Sequence, residues 1–177
     1  MRKYFGIALD LLLTALAVLS VWTFAQDRIS RSKFATVRGE SRNPEIGGYI
    51  GDHGINWKDS KSNLVFLLKE DCIFCNKAAP FYKTILTQVK SKARTVALFP
   101  HGQLKAAAFL RSSDLSIQVL RSQVTLPWGS FTTPTILFCN EEGKIQRIWK
   151  GVIGLDSQSA VLQEIASEIS SVGINLE

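Results

Sequence analysis

"KEDCIFCNKAAPFYKTIL", Lys69 to Leu86, sets two cysteines, Cys72 and Cys75, where a short apolar run meets a segment of helical spacing. Upstream, "NLVFLLKE" (Asn63 to Glu70) is a continuous apolar run of strand length, the kind a parallel sheet buries on both faces. Downstream, Ala78, Phe81, Tyr82, Ile85 and Val89 recur with the period of an amphipathic helix. The cysteines therefore fall at a strand-to-helix turn. Unpaired N–H groups and the helix dipole at that end stabilise a negative charge. Cysteine pairs with such help ionise well below the ~8.5 of a free thiol. The thiolate is the attacking species in disulfide exchange, so Cys72 reads as the nucleophile and Cys75 as the resolving thiol.

Two other uses of neighbouring thiols fit less well. A zinc knuckle needs four ligands, usually as two such pairs. Beyond this pair the chain offers only Cys139, His53 and His101, each placed singly, so no metal is expected. An inert disulfide across so short a loop would remove little entropy from the unfolded chain. Cys139 lies inside an apolar run and reads as a small buried apolar residue. His53 and His101 sit in glycine-containing loops and read as solvated residues.

Composition narrows the class. The chain has 177 residues, 46% hydrophobic and 20% charged, which suits one globular domain with a membrane or export segment. Its net charge of +6 is scattered, and the one basic cluster, "RISRSK" (Arg28 to Lys33), follows an apolar stretch. No basic stripe is studded with aromatics, so nucleic-acid binding is not expected. Three cysteines are too few for a disulfide scaffold.

The N-terminus, "MRKYFGIALDLLLTALAVLSVWTFAQ", runs almost uncharged from Tyr4 to Ala25 behind Arg2 and Lys3. A helix needs about 20 such residues to cross a ~30 Å hydrocarbon layer. Asp10 is placed near the end of that span, where a carboxylate costs less than at mid-bilayer. Read from Leu11, the same stretch is a signal-peptide apolar region, with Thr23-Phe24-Ala25 as a tolerable cleavage site. Residues 1–26 are thus a signal-anchor or signal peptide. Residues 27–62 read as a tether and lead-in, in which "PEIGGYIGDHGINW" allows at most one short hairpin. The domain is expected over 63–177, on the far side of the cytoplasmic membrane.

Within it, "ARTVALFP" (Ala93 to Pro100) is a second buried strand, "QLKAAAFLRSSD" (Gln103 to Asp114) a helix, and "LSIQVL" a short strand. "SFTTPTILFCNEEGKIQRIWKGVIG" supplies Thr133-Pro134, a strand from Thr135 to Asn140, a turn and a strand from Lys144 to Lys150. "LDSQSAVLQEIASEISS" closes the chain as a helix with Asp156 or Ser157 placed to cap it. Pro80, inside the first helix, must bend it and remove a backbone hydrogen bond.

Taken together, Cys72-Ile73-Phe74-Cys75, Pro80, Thr133-Pro134 opening a strand, the hairpin, Gly151 and the last helix resemble the thioredoxin superfamily. The likeness runs from Asn63 to the C-terminus and is nearest to membrane-tethered, TlpA-type bacterial redoxins. It implies an α/β, three-layer sandwich: a mixed central sheet flanked by helices. It also implies that Pro134 is cis and packs beside the cysteines, with the Thr133 backbone pairing with a substrate chain. Ile73 and Phe74, between the cysteines, would contact that substrate too.

The resemblance implies a thiol–disulfide oxidoreductase, expected as a monomer that exchanges disulfides with protein substrates and an upstream redox partner. Its working group is the Cys72–Cys75 pair and no other cofactor is implied. A thiol peroxidase-like redoxin is an alternative, although the threonine that peroxiredoxins carry three positions before the attacking cysteine is Lys69 here. A redox-silent interaction module is another. Where thioredoxins bury an acid before the first cysteine, this chain has Phe66. Glu70 and Asp71 oppose a thiolate while the helix end favours one, so the sign of the shift at Cys72 is open.

Overall fold

Five strands and three α-helices make up a computed structural model that describes residues 43–129 and 132–174. They are β1 (Asn63–Leu67), α1 (Ile73–Val89), β2 (Arg94–Leu98), α2 (Gln103–Ser112), β3 (Val119–Arg121), β4 (Thr135–Cys139), β5 (Ile145–Lys150) and α3 (Leu155–Ile174). The apolar stretch from Tyr4 to Ala25, with the expected anchor or signal peptide and the start of the tether, lies outside the described residues. Among those described, no helix is long and apolar enough to cross a membrane.

The sheet order is β3-β2-β1-β4-β5. β1, β2 and β3 run parallel, while β4 is antiparallel to both β1 and β5. Parallel neighbours require crossovers, and these are right-handed almost without exception. Stepping the same way from β1 to β2 to β3, they carry α1 and α2 to one face. There Phe81, Tyr82 and Ile85 of α1, Phe109 of α2 and Ile165 of α3 share a core with Leu64, Phe66 and Phe138. The opposite face, among the described residues, is closed by irregular chain: Ile50, Ile55 and Trp57 before β1, and Val124 and Leu126 after β3. All five residues of β1 are buried, as the unbroken apolar run requires of a strand covered on both sides.

The described part of the lead-in forms no hairpin of its own, within the limit of at most one that the sequence allows. Gly47, Gly51 and Gly54 take positive φ and cut it into pieces too short to pair with one another. It pairs instead with the start of β5: the Gly47 N–H reaches the Ile145 carbonyl at 2.8 Å, and the Ile145 N–H reaches the Gly48 carbonyl at 2.8 Å. From residue 43 onward this segment belongs to the packed unit. Buried Asn63 fastens it, its amide donating to the carbonyls of Ser60 at 2.8 Å and Asn140 at 3.2 Å. The β4–β5 turn closes on Gly143, where a Cβ would come within 2.8 Å of the Trp57 ring. Only glycine fits that contact and its φ of +75° together.

Helix α1 continues across Pro80 from Ile73 to Val89. Pro80 and Asn76, whose carbonyl loses its helical partner there, are both exposed residues.

Candidate active site

Cys72 occupies the N-cap of α1, with extended backbone angles and its sulfur accepting the N–H of Cys75 at 3.2 Å. A serine or aspartate oxygen ordinarily does this. Here a sulfur takes the place, and it meets the partial positive charge of the helix end directly. One turn on, Cys75 is 0% exposed, facing the core between β1 and the helix, whereas Cys72 is half-buried. Both are free thiols.

Thr133 and Pro134 reach this turn because β4 is antiparallel to β1. The register pairs Leu67 with Thr135, so the residues just before β4 lie level with those just after β1. The Thr133–Pro134 bond is cis, as the resemblance implied. The Thr133 hydroxyl lies 3.6 Å from Cys72 Sγ, and its carbonyl oxygen 4.0 Å from the same sulfur. Thr135 holds the approach by donating its hydroxyl to the Thr132 carbonyl at 2.7 Å. Ile73 and Phe74, between the cysteines, are 69% and 59% exposed. The ammonium of Lys77 lies 5.8 Å from the centre of the Phe74 ring, within cation–π range. Two exposed apolar side chains thus stand beside a half-exposed sulfur.

The two sulfurs are driven apart in acidity. Burial pushes the Cys72 thiol up, but hydrogen bonds from Cys75, the Thr133 hydroxyl and the N–H groups of Cys75 and Phe74 outweigh it and leave its pKa below the ordinary thiol value. Burial, and then the Cys72 sulfur, push Cys75 up to about 12. The sign that the sequence left open at Cys72 is therefore negative. The neighbouring carboxylates are occupied elsewhere: Asp71 pairs with Lys69 at 3.2 Å, and Glu70 with His101 at 2.8 Å. Lys69 holds the exposed Asp71 carboxyl below its usual range.

His101 is the exposed loop residue expected, but it is not without a partner. It pairs with Glu70, only 10% exposed, beside the cysteine turn. In the parallel β1–β2 pair Leu67 faces Leu98, and Glu70 and His101 each follow by the same number of residues. The pair borders an open cleft of about 690 Å³ whose wall includes Asp71, next to Cys72, and Leu104 and Lys105 of α2. His53 turns inward to the Ile50 carbonyl at 2.8 Å. Cys139 is fully buried in β4, and burial raises its thiol far above the ordinary range. Among the described residues no group of three or more His, Cys, Asp or Glu is placed to hold a metal ion.

A mixed sheet in this order, with a Cys-x-x-Cys turn at the carboxyl end of its central strand and a cis-proline loop against it, defines the thioredoxin fold. No protein-family model matches the chain, and no curated protein matches it. Solved structures do. A candidate protein disulfide isomerase from Bacteroides thetaiotaomicron is similar at a TM-score of 0.57 and 15% identity, covering 71% of this chain and 91% of that one. The thioredoxin domain of a thiol-disulfide oxidoreductase from Bacteroides vulgatus is similar at a TM-score of 0.53 and 15% identity, covering 69% and 98%. A yeast mitochondrial 1-Cys peroxiredoxin is similar at a TM-score of 0.53 and 12% identity, covering 76% and 84%. Identities this low establish the fold, and a fold shared by such different chemistries leaves function to the site.

Proposed function

We propose that this chain is a thiol–disulfide oxidoreductase acting on protein disulfides outside the cytoplasm, held at the membrane by its N-terminal apolar segment. One observation carries the reading: two thiols a helical turn apart, the half-exposed one made more acidic and the buried one less. That split suits consecutive steps. The Cys72 thiolate attacks a substrate disulfide, forming a mixed disulfide and expelling one substrate sulfur as thiolate. Cys75 then gives up its proton and attacks Cys72 Sγ, closing the Cys72–Cys75 disulfide and expelling the second substrate sulfur. The protein pair loses two electrons and the substrate disulfide gains them; an oxidised pair runs the sequence backwards. Thr133, Pro134, Ile73 and Phe74 form the surface that takes the substrate chain, and an upstream redox partner restores the pair. The pair is the whole redox apparatus, without a further cofactor, and the protein acts as a monomer.

The test is a trap. With Cys75→Ala, the first step has no intramolecular resolution, so a mixed disulfide between Cys72 and substrate should accumulate on non-reducing gels. If Cys72→Ala exchanges a test disulfide as fast as the wild-type chain, the proposal fails.

A further inference from the structure

Cys75 presents a chemical difficulty. It must ionise to complete the exchange, yet it is fully buried and its pKa stands at about 12. The position from which a buried acid would assist is the apolar Phe66. The titratable groups that face Cys75 are Cys72 and Tyr82, with Lys69 contributing through its backbone N–H and Thr133 through its side chain.

Tyr82 is 1% exposed, and its hydroxyl, buried away from solvent, has no hydrogen-bond partner. An orphaned buried polar group of this kind is destabilising, so it calls for a reason. It lies two turns beyond Cys75 on α1, and at 3.6 residues per turn the two share one line along the helix, about 10 Å apart at the backbone. Long helical side chains lean back toward the N-terminus, over the residues three and four positions earlier. For Tyr82 those are Ala79 and Ala78, both buried, whose side chains are single methyl groups. Phe66 of β1 steers the ring from the side, edge to face at 5.3 Å between centroids. Burial first, and then the Cys75 and Cys72 sulfurs, raise the Tyr82 hydroxyl above its ordinary pKa. It therefore keeps its proton throughout and serves as a donor, never as a base.

Resting on the exchange reaction proposed above, we infer that the Tyr82 hydroxyl donates a hydrogen bond to Cys75 Sγ as that thiol ionises, stabilising the resolving thiolate where no acid is available. The Cys75 proton passes to the substrate thiolate expelled in the first step, the Cys75–Cys72 bond forms, and the bond from Cys72 to the second substrate sulfur breaks. Tyr82 is unchanged at the end.

Dithiobis(nitrobenzoate) separates the steps when added in equimolar amount to the reduced full-length chain. Attack by Cys72 releases one coloured thiolate at a rate set by reagent concentration. Resolution by Cys75 releases the second in a first-order phase. Tyr82→Phe should leave the first phase within about twofold and slow the second about tenfold, the size of one hydrogen bond to a charged group. The pH at which the second phase reaches half its maximum should rise. In a Cys72→Ser background the thiolate absorbance of Cys75 should likewise appear at higher pH once Tyr82 is Phe. A second phase unchanged within about twofold, with a raised melting temperature, would show an orphaned hydroxyl and nothing more, and would overturn the inference. If the wild-type chain itself releases no second thiolate, the exchange reading has failed first.

Discussion

The β1–β4 pair carries a cysteine near each of its ends, and the two ends behave as different materials. At the carboxyl end of β1, Cys72 lies at a helix N-terminus, half-exposed, accepting hydrogen bonds that lower its pKa. At the amino end, Cys139 sits opposite Asn63, fully buried, with its thiol pushed far the other way. Chemistry gathers at the first end because unpaired backbone N–H groups point outward there. Stability gathers at the second, where Trp57, Asn63, Asn140 and Gly143 tie the lead-in to the β4–β5 turn. The same side chain is a half-exposed, acidified thiol or a buried core group according to which end of the strand pair it occupies.

That contrast can be broken most forcefully by exchanging the sulfurs' fates. Cys72→Ala should lower disulfide exchange by at least ~10³-fold, as loss of a nucleophile does, while Cys139→Ala leaves the rate within about twofold. Equal losses from both variants would erase the distinction. Trp57→Ala should cost about 3–5 kcal/mol in chemical denaturation, the usual range for a buried aromatic, yet leave exchange per folded molecule unchanged. A loss of rate without loss of stability would place chemistry at the wrong end.

Finer effects sharpen the comparison. Thr133→Val removes the hydroxyl that bonds to Cys72 Sγ, so the Cys72 pKa should rise. At a fixed pH below it, less thiolate is present, and alkylation by iodoacetamide should slow a few-fold, its pH profile moving to the alkaline side. The smallest effect belongs to Cys139. Its folded pKa is raised above the ~8.5 of an unfolded thiol, so the stability it contributes is present below that pH and is lost as pH rises toward the folded value. Cys139→Ala should therefore flatten the decline of stability above about pH 8.5, measured by urea titration, and cost about 1 kcal/mol at neutral pH.

Local pattern made much of this legible. The apolar run of β1, the helical spacing of α1 and the cysteines between them are near-neighbour features, and the strands at 94–98 and 135–139 announce themselves the same way. The lead-in did not. Its apolar residues, Ile50, Ile55 and Trp57, are isolated among glycines and polar groups, and no period marks them as core. The pairing of His101 escaped for another reason: its partner Glu70 stands on a different strand end, and only the parallel register brings them level. The acidity of Cys72 could not be signed from sequence, because the hydrogen bonds that outweigh burial there include one from Thr133, which only the fold brings to the sulfur.

The order of residues by itself determined the strand–Cys-x-x-Cys–helix unit, since hydrophobic period and the helix terminus act over a few residues. The folded chain alone decided that Thr133 meets the Cys72 sulfur across 61 positions, that Cys75 is sealed from solvent, and that Tyr82 shares its burial. Those depend on strand register and on what covers each face, and both are set by contacts between segments that no local pattern links.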